Sequence, residues 1–148
     1  MKPERNICVF SLSKRDIFIN MEFAIDWLKN LDQHPFYFRE KKPKNGLPPG
    51  SIVLFSFKAR IIGQAVVKKD VQKVSLEKQK QLKKETGFDY KYYMILNPIN
   101  RNYGIFRDPP RKKDLEPIIC KNFARLFTYL DWTQYQQILE AAGCRPIQ

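Results

Sequence analysis

The chain has 148 residues, the length of one domain, and its 43% hydrophobic and 14% aromatic content can build a core without disulfide or metal staples. Intrinsic disorder is thereby excluded as the dominant state. Lys and Arg number 27 against 15 Asp and Glu, a formal charge of +12 that makes a polyanion the default partner.

Residues 7–12 (ICVFSL) form a short apolar run with β-branched and aromatic side chains, expected as a buried strand. Apolar residues then recur at helical spacing, Ile17, Met21, Ala24, Leu28 and Leu31, with Phe18 and Ile25 widening the stripe. Ser13 with Asp16 competes with Asn20 as the cap of this helix, which should end near Asn30. Residues 34–50 change character and read as an exposed connection. They hold prolines, the aromatic triplet Phe36, Tyr37, Phe38, and the basic run Arg39, Lys41, Lys42, Lys44, opposed only by Glu40.

After Pro48, Pro49 and Gly50, two β-rich runs at 51–57 (SIVLFSF) and 61–67 (IIGQAVV) flank Lys58, Ala59 and Arg60 as an antiparallel hairpin. Gly63, inside the second run, signals a bulge or a place where another backbone or a ligand comes close. The lysine-rich stretch 68–84 reads as a solvated excursion, helical from Ser75 to Glu85 and closed by Gly87. A strand at 90–96 (YKYYMIL) is stopped by Asn97 and Pro98. Residues 100–117, rich in charge and proline, are expected as a loop with a short strand near 103–106, and 118–120 as a further one. Asp131 with Gln134 spells a capping box, Leu130 and Tyr135 stand at its staple positions, and Gly143 closes the final helix. Trp132, Tyr135, Ile138, Leu139 and Ala142 make its apolar stripe. The order is that of a single α+β domain over 1–148, a small curved mixed sheet or pseudo-barrel with flanking helices.

Gly50, Ser51, Val53 and Phe55, followed by Ile61, Gly63, Ala65 and Val67, resemble the central hairpin of the PUA-like superfamily, above all its EVE, ASCH and YTH relatives. There a glycine and a small or acidic residue precede the first strand, and the second carries I-x-G-x-A-x-V. The segment KYYMILNPI is similar to the tyrosine-containing strand of such folds, and 127–142 to their closing segment. Ser51 departs from the Asp usual in EVE-type sequences, and the EVE opening motif with its Trp pair is absent from residues 6–12. The resemblance implies a nucleic-acid reader that holds a modified base in an aromatic pocket, with Gly63 near the pocket wall.

The residues make their own case for nucleic acid. Basic clusters at 39–44, 68–84 and 107–113 suit phosphate neutralisation, with Arg39, Lys41, Lys42, Lys44, Lys68 and Lys69 as candidate contacts. A held base needs planar faces and edge-directed hydrogen bonds, which makes Trp27, Tyr37, Tyr92, Tyr93, Asn97 and Gly63 the candidate base pocket. Phe55, Phe57 and Phe127 are assigned to packing, Trp132 to a core plug, and Cys8 to a small buried hydrophobe. The partner can be DNA or RNA, with other proteins as further partners.

Cys8, Cys120 and Cys144 contain no CxxC pair, and His34 is the lone histidine, so neither a disulfide framework, a metal site nor a cofactor is expected. Residues 1–6 are charged, and Lys14, Arg15 and Asp16 break the apolar stretch behind them, so no signal peptide is expected. No run approaches the roughly 20 apolar residues of a membrane helix. The expectation is a cytoplasmic protein with reduced thiols. Asp32, Glu40 and Lys42 spell a D-x7-E-x-K string, which would suit a metal-dependent nuclease, but Pro35 interrupts it and such strings arise by chance in a Lys-rich chain. No phosphate-loop, nucleophile-elbow or zinc-protease motif is present. A binding module is therefore expected rather than an enzyme, the alternative being a protein-interaction or regulatory domain of a defence or toxin system.

Overall fold

The computed structural model describes residues 5–12, 20–31, 35–38, 43–98, 105–121, 123 and 127–144. In chain order the elements are β1 (Ile7–Ser11), α1 (Met21–Lys29), β2 (Phe36–Phe38), β3 (Ile52–Phe57), β4 (Arg60–Lys73), α2 (Leu76–Thr86), β5 (Tyr92–Pro98), α3 (Lys112–Ile119), β6 (Phe127–Leu130) and α4 (Trp132–Ala141). The strands form one sheet in the order β2-β5-β4-β3-β1-β6, with β1 and β3 parallel and the other neighbours antiparallel.

The expected hairpin is β3–β4, and its register shifts between Phe55 and Ser56, which pair with Gly63 and Ile61. Gly63 thus sits at a bulge and also bridges to Ile105 of another segment, so both readings of that glycine hold. All six residues of β3 are buried, because the sheet is covered on both faces at its middle.

The inner face is aromatic. Phe10 of β1 lies 4.8 Å from Phe36, 4.8 Å from Phe127 and 5.7 Å from Phe38, mostly edge to face. Hydrogen bonding ends at β2 and β6, yet the Phe38 and Phe127 rings are 5.6 Å apart. The sheet therefore curls until its two edges share side chains. α1 packs into this curl with Ala24, Trp27, Leu28 and Leu31, starting where the Asn20 side chain accepts from the Phe23 N–H at 2.8 Å. The outer face of β3, β1 and β6 is covered by α3 and α4 through Leu115, Ile119, Tyr135, Ile138 and Leu139. α2, capped by Ser75 and ended by Gly87 as expected, contributes Leu82 to a small cluster with Val74 and Tyr90.

Three expectations are corrected. The triplet 36–38 is strand β2, with Phe36 and Phe38 inside, rather than exposed connection. β4 runs on to Lys73, so the excursion starts later than Lys68; irregularities between Val67 and Gln72 let the strand continue through the lysines. The loop expected to run on to 117 and the strand expected at 118–120 give way to α3, a helix anchored by Leu115 and Ile119, one turn apart, with Pro117 close to its end; of the short strand expected near 103–106, residues 103 and 104 lie outside the described residues and Ile105 makes a bridge to Gly63. The order of elements remains α+β.

Candidate nucleic-acid interface

Among the described residues, the outer face of the sheet is not covered along its whole length by α3 and α4. On β4, Gln64 accepts a 2.6 Å hydrogen bond from the Tyr135 hydroxyl and marks the reach of α4. Val74, at the far end, is buried with Leu82 of α2. Between them the outward positions of β4 are half-buried Val66 and exposed Lys69 and Gln72. They pair with Asn97, Ile95 and Tyr93 of β5, and Tyr93 pairs in turn with Tyr37 of β2. Strand alternation and the two irregularities of β4 place all of these on one face.

The centre of this face is an aromatic pair. The rings of Tyr37 and Tyr93 lie 6.1 Å apart at 48°, and Tyr90 supports Tyr37 from beneath at 6.1 Å. Both leading tyrosines are half-buried, whereas Tyr90 is buried. The Lys69 ammonium lies 6.0 Å from the Tyr93 ring centroid. Lys68, exposed at the irregularity, and Lys73 add charge on the same strand. Two half-exposed rings flanked by lysines can stack bases and neutralise their phosphates.

The structure divides the six residues expected in a base pocket. Tyr37, Tyr93 and Asn97 share the outer face. Trp27 and Tyr92 belong to the inner core, where Trp27 is 7% exposed and meets Phe36 at 4.9 Å and Phe55 at 5.3 Å. Tyr92 stacks on Phe38 at 5.7 Å and 27°. Gly63 is buried in the hairpin. The sheet thus stands between Trp27 and Tyr37, and the four aromatics do not line one cavity. A groove of about 440 Å³ beside α1 is lined by Met21, Glu22, Ile25, Asp26 and Lys29, and two carboxylates give it the wrong sign for a phosphate backbone.

Of the basic candidates, Lys44, Lys68 and Lys69 are exposed, while Arg39, Lys41 and Lys42 lie outside the described residues, as do Asp32, Glu40 and His34. Lys44 rides on a pinned loop. The Tyr129 hydroxyl donates to Gly46 O at 3.1 Å and accepts from Asn45 N–H at 3.1 Å, and Leu47 N–H donates to Asp70 Oδ1 at 2.8 Å. Burial pushes the Tyr129 phenol up to about 12. Ser51, where EVE-type sequences have Asp, is fully buried and accepts from Asn6 N–H at 2.9 Å. Gln72 and Tyr90 were not among the sequence candidates. The alternation of β5 separates Tyr92 from Tyr93, but nothing in the lysine run announces the irregularities that bring Gln72 and Lys69 to one side.

Comparison with solved structures agrees on the architecture. A single-residue variant of the ASCH protein of Zymomonas mobilis matches with a TM-score of 0.62 at 13% identity, over 95% of this chain and 99% of its own. The fold is PUA-like. A protein of Agrobacterium tumefaciens also gives a TM-score of 0.62, at 9% identity over 96% of each chain. No family model matches the sequence, and no curated protein matches it significantly. At such identities the likeness is one of fold, so the PUA-like hairpin read from the sequence stands as architecture. Among the described residues, no helix is long and apolar enough to cross a membrane.

Proposed function

We propose that this PUA-like domain is a nucleic-acid-binding module, working without catalysis, that stacks bases on Tyr37 and Tyr93 and holds phosphates with Lys68, Lys69 and Lys44. The observation that carries the reading is the cross-strand Tyr37–Tyr93 pair, packed on one side against the small cluster of Val74, Leu82 and Tyr90 and still half-buried, with the Lys69 ammonium beside it. A base settling on Tyr93 displaces that ammonium towards its own phosphate, so ring and charge serve one nucleotide. The +12 charge supplies long-range attraction. An open platform of this kind favours unpaired bases, whose faces are free, over duplex. The finer reading, capture of a modified base, calls for a sandwich that encloses the ring; the open geometry gives it less support than it gives stacking.

The test is a binding panel of plain and base-modified oligonucleotides, single and double stranded, across a salt series. Single strands should bind best, with a steep salt slope. Tyr37→Ala or Tyr93→Ala should each cost about 1–3 kcal/mol of affinity without unfolding the protein. Lys68→Ala with Lys69→Ala should flatten the slope by roughly one unit per lost contact. A marked preference for one modified base would restore the enclosed-pocket reading. Affinity for no oligonucleotide at any salt would leave the protein-interaction class.

A further inference from the structure

A second polar cluster lies on the other half of the outer face, where α3 begins. Ser11 of β1 and Ser56 of β3 are register partners, and their Oγ atoms are 3.1 Å apart. Lys112, the first residue of α3, donates from Nζ to Ser11 Oγ at 3.1 Å. Thr128 of β6 pairs with Val9, two residues before Ser11, and so stands diagonal to Ser11 on the same face, at roughly 7–8 Å between Cα atoms. Its Oγ1 is buried and, among the described residues, has no hydrogen-bond partner. Three hydroxyl residues on three adjacent strands thus share one sheet face, two of them hydrogen-bonded to each other and one to the ammonium at the start of α3.

Two features of the cluster are unsatisfied. Buried hydroxyls almost always find partners, and among the described residues the Thr128 hydroxyl has none. The Lys112 ammonium is half-buried and, among the described residues, bonds a hydroxyl and no carboxylate. Burial lowers its pKa, and Glu116 on the same helix offsets this only in part. Asp114, the other acid of α3, is engaged by Arg111 at 2.9 Å. The surroundings are basic because the helix start is tied to the β3–β4 turn: Lys112 N–H donates to Ala59 O, Ile61 N–H donates to Pro110 O, and Arg60 bridges to Arg111. Arg60 and Lys113, on the segments joined here, are exposed.

We infer that Lys112, Ser11, Ser56 and Thr128 form a binding site for a single phosphate group. A phosphate oxygen accepts from the ammonium and from hydroxyls at about 2.7–2.9 Å, and two such bonds with the breadth of one tetrahedral anion span the diagonal from Ser11 to Thr128. The anion satisfies the orphan hydroxyl and the uncompensated cation together. This site is separate from the tyrosine platform and does not depend on it. The phosphate is either free, as inorganic phosphate or a nucleotide, or the terminal group of a nucleic-acid strand.

The experiment is calorimetric titration of the full chain with inorganic phosphate, followed by 5′-phosphorylated and 5′-hydroxyl forms of one oligonucleotide. Saturable phosphate binding is expected. Lys112→Met, which keeps the packing of the stem, should weaken it roughly tenfold or more, as the loss of a charge-assisted hydrogen bond requires. Thr128→Val should also weaken it, yet melt no lower than the parent, since an unpartnered hydroxyl gives way to a methyl of the same shape. That combination separates binding from misfolding. A 5′-phosphate advantage that vanishes in Lys112→Met assigns the site to strand ends, and equal binding of both oligonucleotides with phosphate binding retained assigns it to free phosphate. Absence of saturable phosphate binding, or binding untouched by both substitutions, overturns the proposal.

Discussion

Lys58 and Ala59 hold φ at 49° and 63°, so the tight turn of the central hairpin is made in the left-handed region by two residues with a Cβ. Such turns favour Asn-Gly or Asp-Gly, because the left-handed conformation costs an L-residue roughly 1–2 kcal/mol. The turn persists because the start of α3 grips it, through the Lys112 N–H bond to Ala59 O at 2.9 Å. Ala59→Gly should therefore stabilise the fold by about 1 kcal/mol, seen as a melting temperature higher by about 3–5 °C; an unchanged or lower value would show that tertiary contacts set this conformation without strain. At the residue scale the sequence was informative where one position has one physical use. Gly63 marked a bulge and a backbone approach, and Ser75 and Asp131 marked helix starts, the last with its full capping box, whereas Asn20, the cap of α1, had Ser13 with Asp16 as a rival. It was uninformative about which aromatic faces which side. Trp27 and Tyr37 have the same stacking chemistry, and only the path of the sheet puts one inside and one out.

Elements were legible in proportion to how much of their own signal they carry. β3 and β4 are long, apolar and punctuated by Pro48, Pro49 and Gly50, and they were readable. β2 is three residues between a proline and a basic run, and its strand state comes from pairing with β5, a contact 54 to 58 residues away in the chain and invisible locally. α3 was hidden by Pro117, which reads as a breaker, while its stability comes from burying Leu115 and Ile119 against α4 and the outer sheet face. The same dependence on tertiary packing makes the hairpin the natural place to test the core. Phe55 is fully buried on β3, 5.3 Å from Trp27 and 6.0 Å from Phe36 in a stacked arrangement. Phe55→Ala leaves a void shared by β3, β2 and α1 and should cost roughly 3–5 kcal/mol, measured as a lower urea midpoint at an unchanged m-value. A midpoint within experimental scatter of the parent would mean that these rings do not bear on one another as the geometry requires.

At the scale of the whole molecule, composition had already given the net charge of +12, and the hairpin had indicated the PUA-like architecture. What it withheld was the curl of the sheet, because the meeting of Phe38 with Phe127 joins elements that sequence order keeps far apart. The curl also encloses Cys8 of β1, where burial pushes its thiol from an ordinary 9.0 up to about 12. A group that holds its proton more tightly folded than unfolded contributes stability that is complete below its unfolded value and is lost as pH rises towards its folded one. For Cys8 that window runs from pH 9 to pH 12, and Tyr129, raised from 10.0 to about 12, adds to it from pH 10. Lys112 works in the opposite sense. Its pKa is lowered, so the unfolded chain binds the extra proton below 10.5 and stability climbs with pH until that value is passed. The raw pH curve therefore mixes these effects, and a variant must isolate the thiol. Cys8→Ala, compared with the parent by urea unfolding at each pH, should lose stability less steeply between pH 9 and 12, by up to about 1.4 kcal/mol per pH unit. Tyr129→Phe should flatten the curve only from pH 10. If the parent and Cys8→Ala curves run parallel across the whole window, the thiol titrates alike in both states, and the inner face of the sheet is open to water at β1.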